Sequence, residues 1–464
     1  RKPYTTMSYT ASSSTISPRR SPATSTVPTI ASGSLSGSAV RKTSTGLRRQ
    51  NTSQSTSRST SITPRPWVPA SAGYIISPHL QLGEGTAARI FHLAHTEEPL
   101  QRDRAAALTG VSRATVNRSV ISLLEAELLE EREDLTELGA VGRPALPVTV
   151  RTDTYAVLGI YIGRWTSSVT LHDLHGKILG GKYLHQGIAT VEAPGSLLSD
   201  LEEAALYVLG YRDNRTVIWA GVAAEAVVSD DGIVNDSSAG WHDIAVGQYF
   251  AADLGLPISL ASHVEAMSAA ELWNTSVDDV ASSTLYIYAR ETLGIGQTYN
   301  SQVHHSATGS GTFEHLTAGP TTLLDPTGEG TVGSAVKDSA IVAAARAAGI
   351  PVETVPQLVA IAGDSNSKAQ TEAKTILRER AVVLGEAVSS LVGLFNPTRV
   401  VLGGQAFTDY PDTLNLIASL IHQNSTDVDI RVTAARGRVQ QQAAAAVAIT
   451  AVAYDPLHAV EGAR

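Results

Sequence analysis

Arg113, Thr115, Asn117 and Arg118 have the types and spacing to read the edge of a DNA duplex. An arginine fork bonds guanine at two atoms, an asparagine amide does the same for adenine, and a threonine hydroxyl reaches base or phosphate from a short stem. Ser112 stands directly before them, where its side chain can cap a helix and lie beside a phosphate. A second site of the same chemistry is Gly142-Arg143-Pro144. An arginine on a small turn fixed by glycine and proline can enter a narrow, A·T-rich minor groove. Ser112, Arg113, Thr115, Asn117, Arg118 and Arg143 are therefore the expected DNA contacts. The alternatives are an ordinary helical hairpin for the first group and a structural turn between two domains for Arg143.

The elements that must position these residues are legible around them. Arg102–Leu108 has a short helical pattern, and Gly110 follows where a tight turn needs positive φ. Ser112 then opens a second helix, expected to run to about Leu128, whose buried face is Val116, Val120, Leu123 and Leu124. An acidic turn and the Gly-Arg-Pro segment complete the order of a winged helix-turn-helix, expected over residues 79–150. That stretch holds seven arginines against eleven carboxylates, net −4. DNA-binding domains are usually basic. The carboxylates gather between Glu125 and Glu137, behind the reading helix. Two copies acting together, a homodimer or tetramer on an inverted-repeat operator, are expected to supply the missing affinity.

Charge is uneven along the chain. Residues 1–70 carry ten Lys and Arg and no carboxylate, so with −9 overall the remainder is −19. The first 78 residues are rich in Ser, Thr and basic side chains and are expected to form a disordered tail. Such a tail is either a source of phosphate contacts or a plain solvated extension. The whole chain is 43% hydrophobic, enough for sizeable cores, and has no cysteine, which excludes disulfides and thiolate metal sites. No apolar run is long enough to span a bilayer and no secretory signal is visible, so a cytoplasmic protein is expected.

From Tyr155 onward three strand-like runs joined by tight turns suggest a meander: Ala156–Ile162, Ser167–His172 and Ile178–His185. A helix at Pro194–Leu209, a strand at Arg215–Val222, a helix at Gly247–Leu254, a strand at Pro257–Ala261 and a helix at His263–Trp273 follow. A second set starts at Ser283–Ala289, passes a Gly-rich middle, and has helices near Val336–Ala348 and Ala369–Leu394. It continues with a strand at Thr398–Leu402 and an Ala-rich helix at Val439–Ala453. The pattern is α/β, with two lobes, 151–275 and 276–464, around a cleft, the last helix returning to the first lobe.

Val157-Leu-Gly-Ile-Tyr-Ile-Gly163, Asp173-Leu-His-Gly-Lys-Ile-Leu179, Asn396-Pro-Thr-Arg-Val-Val-Leu-Gly-Gly404 and the Ala-rich last helix resemble the ROK family of repressors and sugar kinases. The resemblance covers roughly residues 85–464. It implies a two-lobed, actin-like (ribonuclease H-like) core behind an N-terminal winged helix-turn-helix.

Departures from the family pattern bear on function. The kinases' Asp-x-Gly-Gly-Thr phosphate loop is matched here by Tyr161, Gly163, Arg164 and Trp165. Their catalytic aspartate falls in a segment that reads Ser262-His263-Val264-Glu265. A Gly-Glu-x-Gly-His zinc and sugar motif is matched by Gly311-Thr312-Phe313-Glu314-His315, with no cysteines and with Gly330-Thr331-Val332-Gly333 in the later segment. Loss of these carboxylates removes groups for metal, phosphate and the attacking hydroxyl. A transcriptional regulator with a catalytically inactive, dimerising core is expected, with no cofactor and no metal. His263, Glu265, Thr312 and His315 remain as candidate contacts to a small-molecule effector. The alternatives are an active sugar kinase and a regulator whose core only dimerises. His304, His305 and His315 could form a substitute metal site, but close-set loop histidines are more often solvated.

Overall fold

The computed structural model describes residues 73–135, 146–306, 308–425, 427–433, 435 and 438–461, all within one compact unit, Ile62–Arg464. The helical spacing of Val116, Val120 and Leu123 becomes the buried face of a helix. Three helices build the head: α1 (Thr86–Thr96), α2 (Arg102–Thr109) and α3 (Arg113–Glu125). Gly110 takes φ 71° between α2 and α3, and the Ser112 hydroxyl accepts the Thr115 N–H at 3.2 Å to cap α3. The third helix stops at Glu125, short of Leu128. Glu127 turns to φ 57°, and the chain enters β1 (Leu129–Glu131), paired antiparallel with β2 (Val148–Val150). Arg143 lies outside the described residues.

The first lobe starts as a meander of β3 (Tyr155–Ile162), β4 (Ser167–Asp173) and β5 (Ile178–Leu184). It adds α4 (Pro194–Val208), β6 (Thr216–Ala224), a small sheet of β7 (Val227–Val228), β8 (Val234–Asp236) and β9 (Trp241–Ile244), then α5 (Val246–Leu254), β10 (Ile258–Ser262) and α6 (His263–Trp273). The main sheet runs β10-β6-β3-β4-β5, with β3, β6 and β10 parallel. All eight residues of β3 are buried, which is why the strand reads as continuously apolar instead of alternating.

The second lobe holds β11 (Ser283–Ala289), β12 (Leu293–Tyr299), β13 (Gln302–Val303), α7 (Val332–Val336), α8 (Asp338–Ala347), α9 (Val355–Gly363), α10 (Gln370–Phe395), β14 (Arg399–Gly403), α11 (Gln405–Thr408), α12 (Leu414–His422) and β15 (Asp429–Val432). Its sheet runs β13-β12-β11-β14-β15. The single helix expected at Val336–Ala348 is broken at Lys337, which is extended at ψ 151°. Buried Arg380 donates from Nε to the Val336 carbonyl at 2.9 Å and from Nη2 to Asp338 at 2.6 Å, so the side chain takes over a helix acceptor.

The chain closes with α13 (Val439–Tyr454) and α14 (Pro456–Glu461). Helix α13 crosses β3 and β6 so closely that a Cβ on Gly159 would lie 2.9 Å from the Ala445 nitrogen. One apolar core joins the head to this face: Ile90, Phe91, Leu93, Val120 and Leu123 meet Val157, Trp219, Trp273, Ile449 and Val452. Burying one such side chain is worth about 1.5–3 kcal/mol, so several fix the head firmly. The segment before α1 is a further tie. Residues 73–78, expected as the end of a disordered tail, lie along β10 instead: Ile76 N–H donates to Ile258 O at 2.8 Å and Ile258 N–H to Tyr74 O at 2.9 Å. The edge of β10 offered unpaired backbone groups, and the tail's last residues satisfy them. Farther on, Val303 N–H donates to Leu80 O at 2.8 Å, so the strap touches both sheets. Among the described residues no helix is long and apolar enough to cross a membrane.

Candidate functional site

Arg113, Asn117 and Arg118 are exposed on α3, while Thr115 is half-buried. The Ser112 hydroxyl is committed to the cap and lies 3.0 Å from Thr115 Oγ1. Arg113 is already paired: its Nη2 lies 2.7 Å from Asp103 Oδ2, with both side chains largely in solvent. Arg102 pairs with Glu131 at 2.7 Å and Arg104 with Asp278 at 2.6 Å. Arg118 has no ion-pair partner among the described residues, so its charge is free to meet a phosphate or a base.

A cleft of about 570 Å³ opens at the carboxyl ends of β6 and β10, facing the start of β12. Its wall includes Arg164, Glu225, Asp236, His263, Thr292 and Thr312. Glu225 follows β6 directly and ties three elements of the wall together. One oxygen accepts the Arg164 backbone N–H at 2.9 Å and lies 3.5 Å from the Tyr161 hydroxyl, and the other accepts from Thr292. The Arg164 guanidinium reaches across to Asp236 at 3.1 Å and Ser238 at 3.0 Å. Burial drives the Tyr161 phenol well above its ordinary value, so it stays a neutral donor. The turn after β3 is thus closed by a carboxylate. A phosphate would have to displace Glu225 to reach that N–H and would meet like charge there.

His263 is the first residue of α6 and is 4% exposed. Its ring sits edge-on to Tyr288 at 5.1 Å, and Nε2 is buried without a partner. Burial lowers its pKa, with nearby Glu225 pulling the other way, so the ring is neutral at pH 7. An unpartnered buried nitrogen in a cleft wall is a group that a ligand can satisfy.

Of the four sequence-based effector candidates, His263 and Thr312 come together on this wall, and Glu265 and His315 do not line it. Glu265 is buried, accepting from Ser306 N–H at 3.2 Å and lying 2.9 Å from His305 Nδ1. That bond raises the His305 pKa, and His305 Nε2 lies 2.7 Å from Asp230. His315 is 83% exposed, 3.3 Å from Glu314. His304 and His315 therefore share no cage with His305, and no group of three metal-ligating side chains forms among the described residues. Glu225, Arg164, Asp236 and Lys337 were not foreseen as cleft residues. A lone carboxylate directly after the apolar run Val217–Ala224 was the available signal for Glu225.

Two mixed sheets facing each other across a polar cleft, with α13 returned to the first sheet, define the actin-like class that includes sugar kinases and repressors. The chain belongs to the ROK family, whose sequence pattern matches residues 157–456. It is 39% identical over 410 residues to a protein named as a transcriptional regulator in Mycobacterium tuberculosis, covering 83% of this chain and 90% of that one. A shorter match, 29% over 99 residues, covers 21% of this chain and 24% of the DNA-binding transcriptional repressor Mlc of Escherichia coli. Among solved structures, a ROK family transcriptional regulator described as a homolog of the E. coli Mlc protein superposes with TM-score 0.62 at 21% identity, covering 81% of this chain and 97% of that one. A ROK hexokinase from Thermus thermophilus superposes at 0.51 and 20% identity, covering 64% and 99%, so the core fold is common to both kinds of protein.

Proposed function

We propose that this protein is a DNA-binding transcriptional regulator whose head, α1 to β2, is a winged helix-turn-helix and whose core binds a small metabolite without phosphorylating it. The observation that carries the reading is α3. It is capped by Ser112 after the left-handed Gly110, buries Val116, Val120 and Leu123, and leaves Arg113, Asn117 and Arg118 exposed. The similarity to proteins named as transcriptional regulators points the same way. Loss of catalysis is supported by Glu225, which occupies the Arg164 N–H, and by Tyr161, a neutral phenol where the kinase loop has a carboxylate. With most head arginines tied to carboxylates, one head has little electrostatic reserve. A symmetric pair of heads on an inverted-repeat operator fits that shortage. A site in the cell of origin is cytoplasmic on this reading, since DNA is the partner.

Mapping of bound sites across the genome of origin tests this. Discrete sites sharing an inverted repeat are expected, together with no ATP-dependent phosphorylation of any sugar offered. Absence of enriched sites, or sugar phosphorylation abolished by His263→Ala, overturns the reading.

A further inference from the structure

We propose that α6 couples the cleft to the DNA-binding head, so that the group occupying the cleft at His263 sets the position of the head through Trp273. The proposal rests on the functional reading above and adds the route by which one site governs the other.

Helix α6 has one end in each place. His263 and Val264, its first two residues, line the cleft. Trp273, its last residue, stacks on His95 of α1 at 4.7 Å and 18°, with His92 at 5.1 Å and Phe91 at 6.0 Å. The Trp273 carbonyl lies 3.1 Å from His92 Nε2, and Asn274 Oδ1 lies 3.2 Å from His95 Nε2. Eleven residues of α-helix place these ends about 15 Å apart.

The helix cannot absorb a push at one end. Ten of its eleven residues are buried. Strand β12 of the second sheet lies on its first turns with only glycines between: a Cβ on Gly294 would overlap Val264, and one on Gly296 would overlap Ser268. Helix α13 packs against it from the first lobe. Close-packed interiors transmit displacement because no void is there to take it up. Unpartnered buried polar atoms mark both ends: His263 Nε2 in the cleft, and Trp273 Nε1 with His95 Nδ1 at the head. A buried group left without its hydrogen bond stores free energy that a second arrangement can recover. A ligand that bonds His263 better in one position of α6 shifts the population of that position, and operator binding must respond by the same factor.

The test is a double-mutant cycle read by fluorescence anisotropy, using the tightest duplex this protein selects from a random library, at one fixed salt. His263→Gln perturbs the cleft end and Trp273→Leu the head end. Perturbations more than about 10 Å apart normally multiply to within about twofold. His263→Gln is expected to change operator Kd at least threefold in the wild-type background and by less than 1.5-fold in the Trp273→Leu background. Gly294→Ala, which crowds Val264, is expected to follow the same pattern. Where Trp273→Leu fails to fold, Asn274→Ala serves as the head-end change. An unchanged Kd for both cleft-end variants overturns the proposal. An equal effect in both backgrounds also overturns it, and places transmission elsewhere, such as the 74–82 strap. Arg118→Ala separates the underlying reading: if it binds the duplex like wild type, the assignment of α3 has failed, and not the coupling.

Discussion

The two ends of α6 are built from opposite materials. At the head, Trp273, Phe91, His92 and His95 form a dry aromatic stack continuous with one apolar core. In the cleft, Glu225, Arg164, Asp236 and Thr292 form a polar network around an open volume. The first kind of contact is strong because water is excluded, so the helix end and the head move together. The second is held by exchangeable hydrogen bonds to charged groups, each with a net worth of about 1.5–3 kcal/mol, and can rearrange around a ligand. A regulator needs both: a seat for the head that does not slip and a pocket whose bonding can change.

The largest expected effect separates these materials directly. Trp273→Ala should cost about 3–5 kcal/mol in urea unfolding, as removal of a buried aromatic does. Head and core should still unfold in one transition, because they share a core. Thr312→Ala, on the cleft wall, should stay within about 0.5 kcal/mol of wild type. Comparable costs for the two variants would erase the contrast.

Acid should weaken the dry end. Burial pushes the pKa of His95 down to about 3 and that of His92 down to about 4, from 6.5. The unfolded chain therefore binds protons below pH 6.5 that the folded chain refuses. Stability is full above pH 6.5 and is lost as pH falls from there toward 4, at about 1.4 kcal/mol per pH unit for each such histidine. Buried His172, pushed down to about 4, adds to the same slope from the first lobe. His95→Gln should flatten the decline measured by urea midpoints at pH 4.5, 5.5 and 7.0, and a slope unchanged by that substitution would show that the histidine is not held neutral.

On the DNA face the expected effects are smaller in stability and larger in function. Arg118→Ala should lower operator affinity by about 1–3 kcal/mol and leave the melting temperature in place. The smallest effect concerns Asp103, whose carboxylate holds Arg113. Asp103→Asn should tighten non-specific binding by up to about 1 kcal/mol and steepen its salt dependence, since an exposed pair is weak and the freed arginine faces phosphate. Weaker binding by this variant would mean that the pair positions Arg113 productively.

Helices α2 and α3 were legible because their signals are local, whereas α1 was not read from the sequence. Gly110, Ser112 and the spacing of Val116, Val120 and Leu123 each dictate one feature of the backbone. Strands β3, β4, β5, β6, β10, β11 and β14 were legible for the same reason, and β11 and helix α6 fall on the boundaries their patterns suggest, whereas β13 and β15 were not read. The cleft was only half legible. His263 and Thr312 fall on its wall, but Glu265 turns inward to His305 and Ser306, and His315 turns to solvent. Side-chain direction there depends on loops from both lobes, which no local pattern encodes. Glu225 was missed because its partners, Arg164 and Thr292, lie 61 and 67 residues away. Strand β12 was hidden by Gly294 and Gly296, whose composition marks a loop but whose purpose is to admit α6. The coupling route was invisible for the same reason, since His92 and Trp273 are 181 residues apart.

The reading of α3 is tested most directly by anisotropy titration of the full chain against its selected duplex and a scrambled duplex of equal length, at 150 mM salt. The wild-type protein should prefer the selected duplex by at least about 10³, and the Asn117→Ala, Arg118→Ala double variant should collapse that ratio toward one while melting normally. Equal affinity of the wild type for the two duplexes, or an intact preference in the double variant, would contradict the claim that this helix reads DNA.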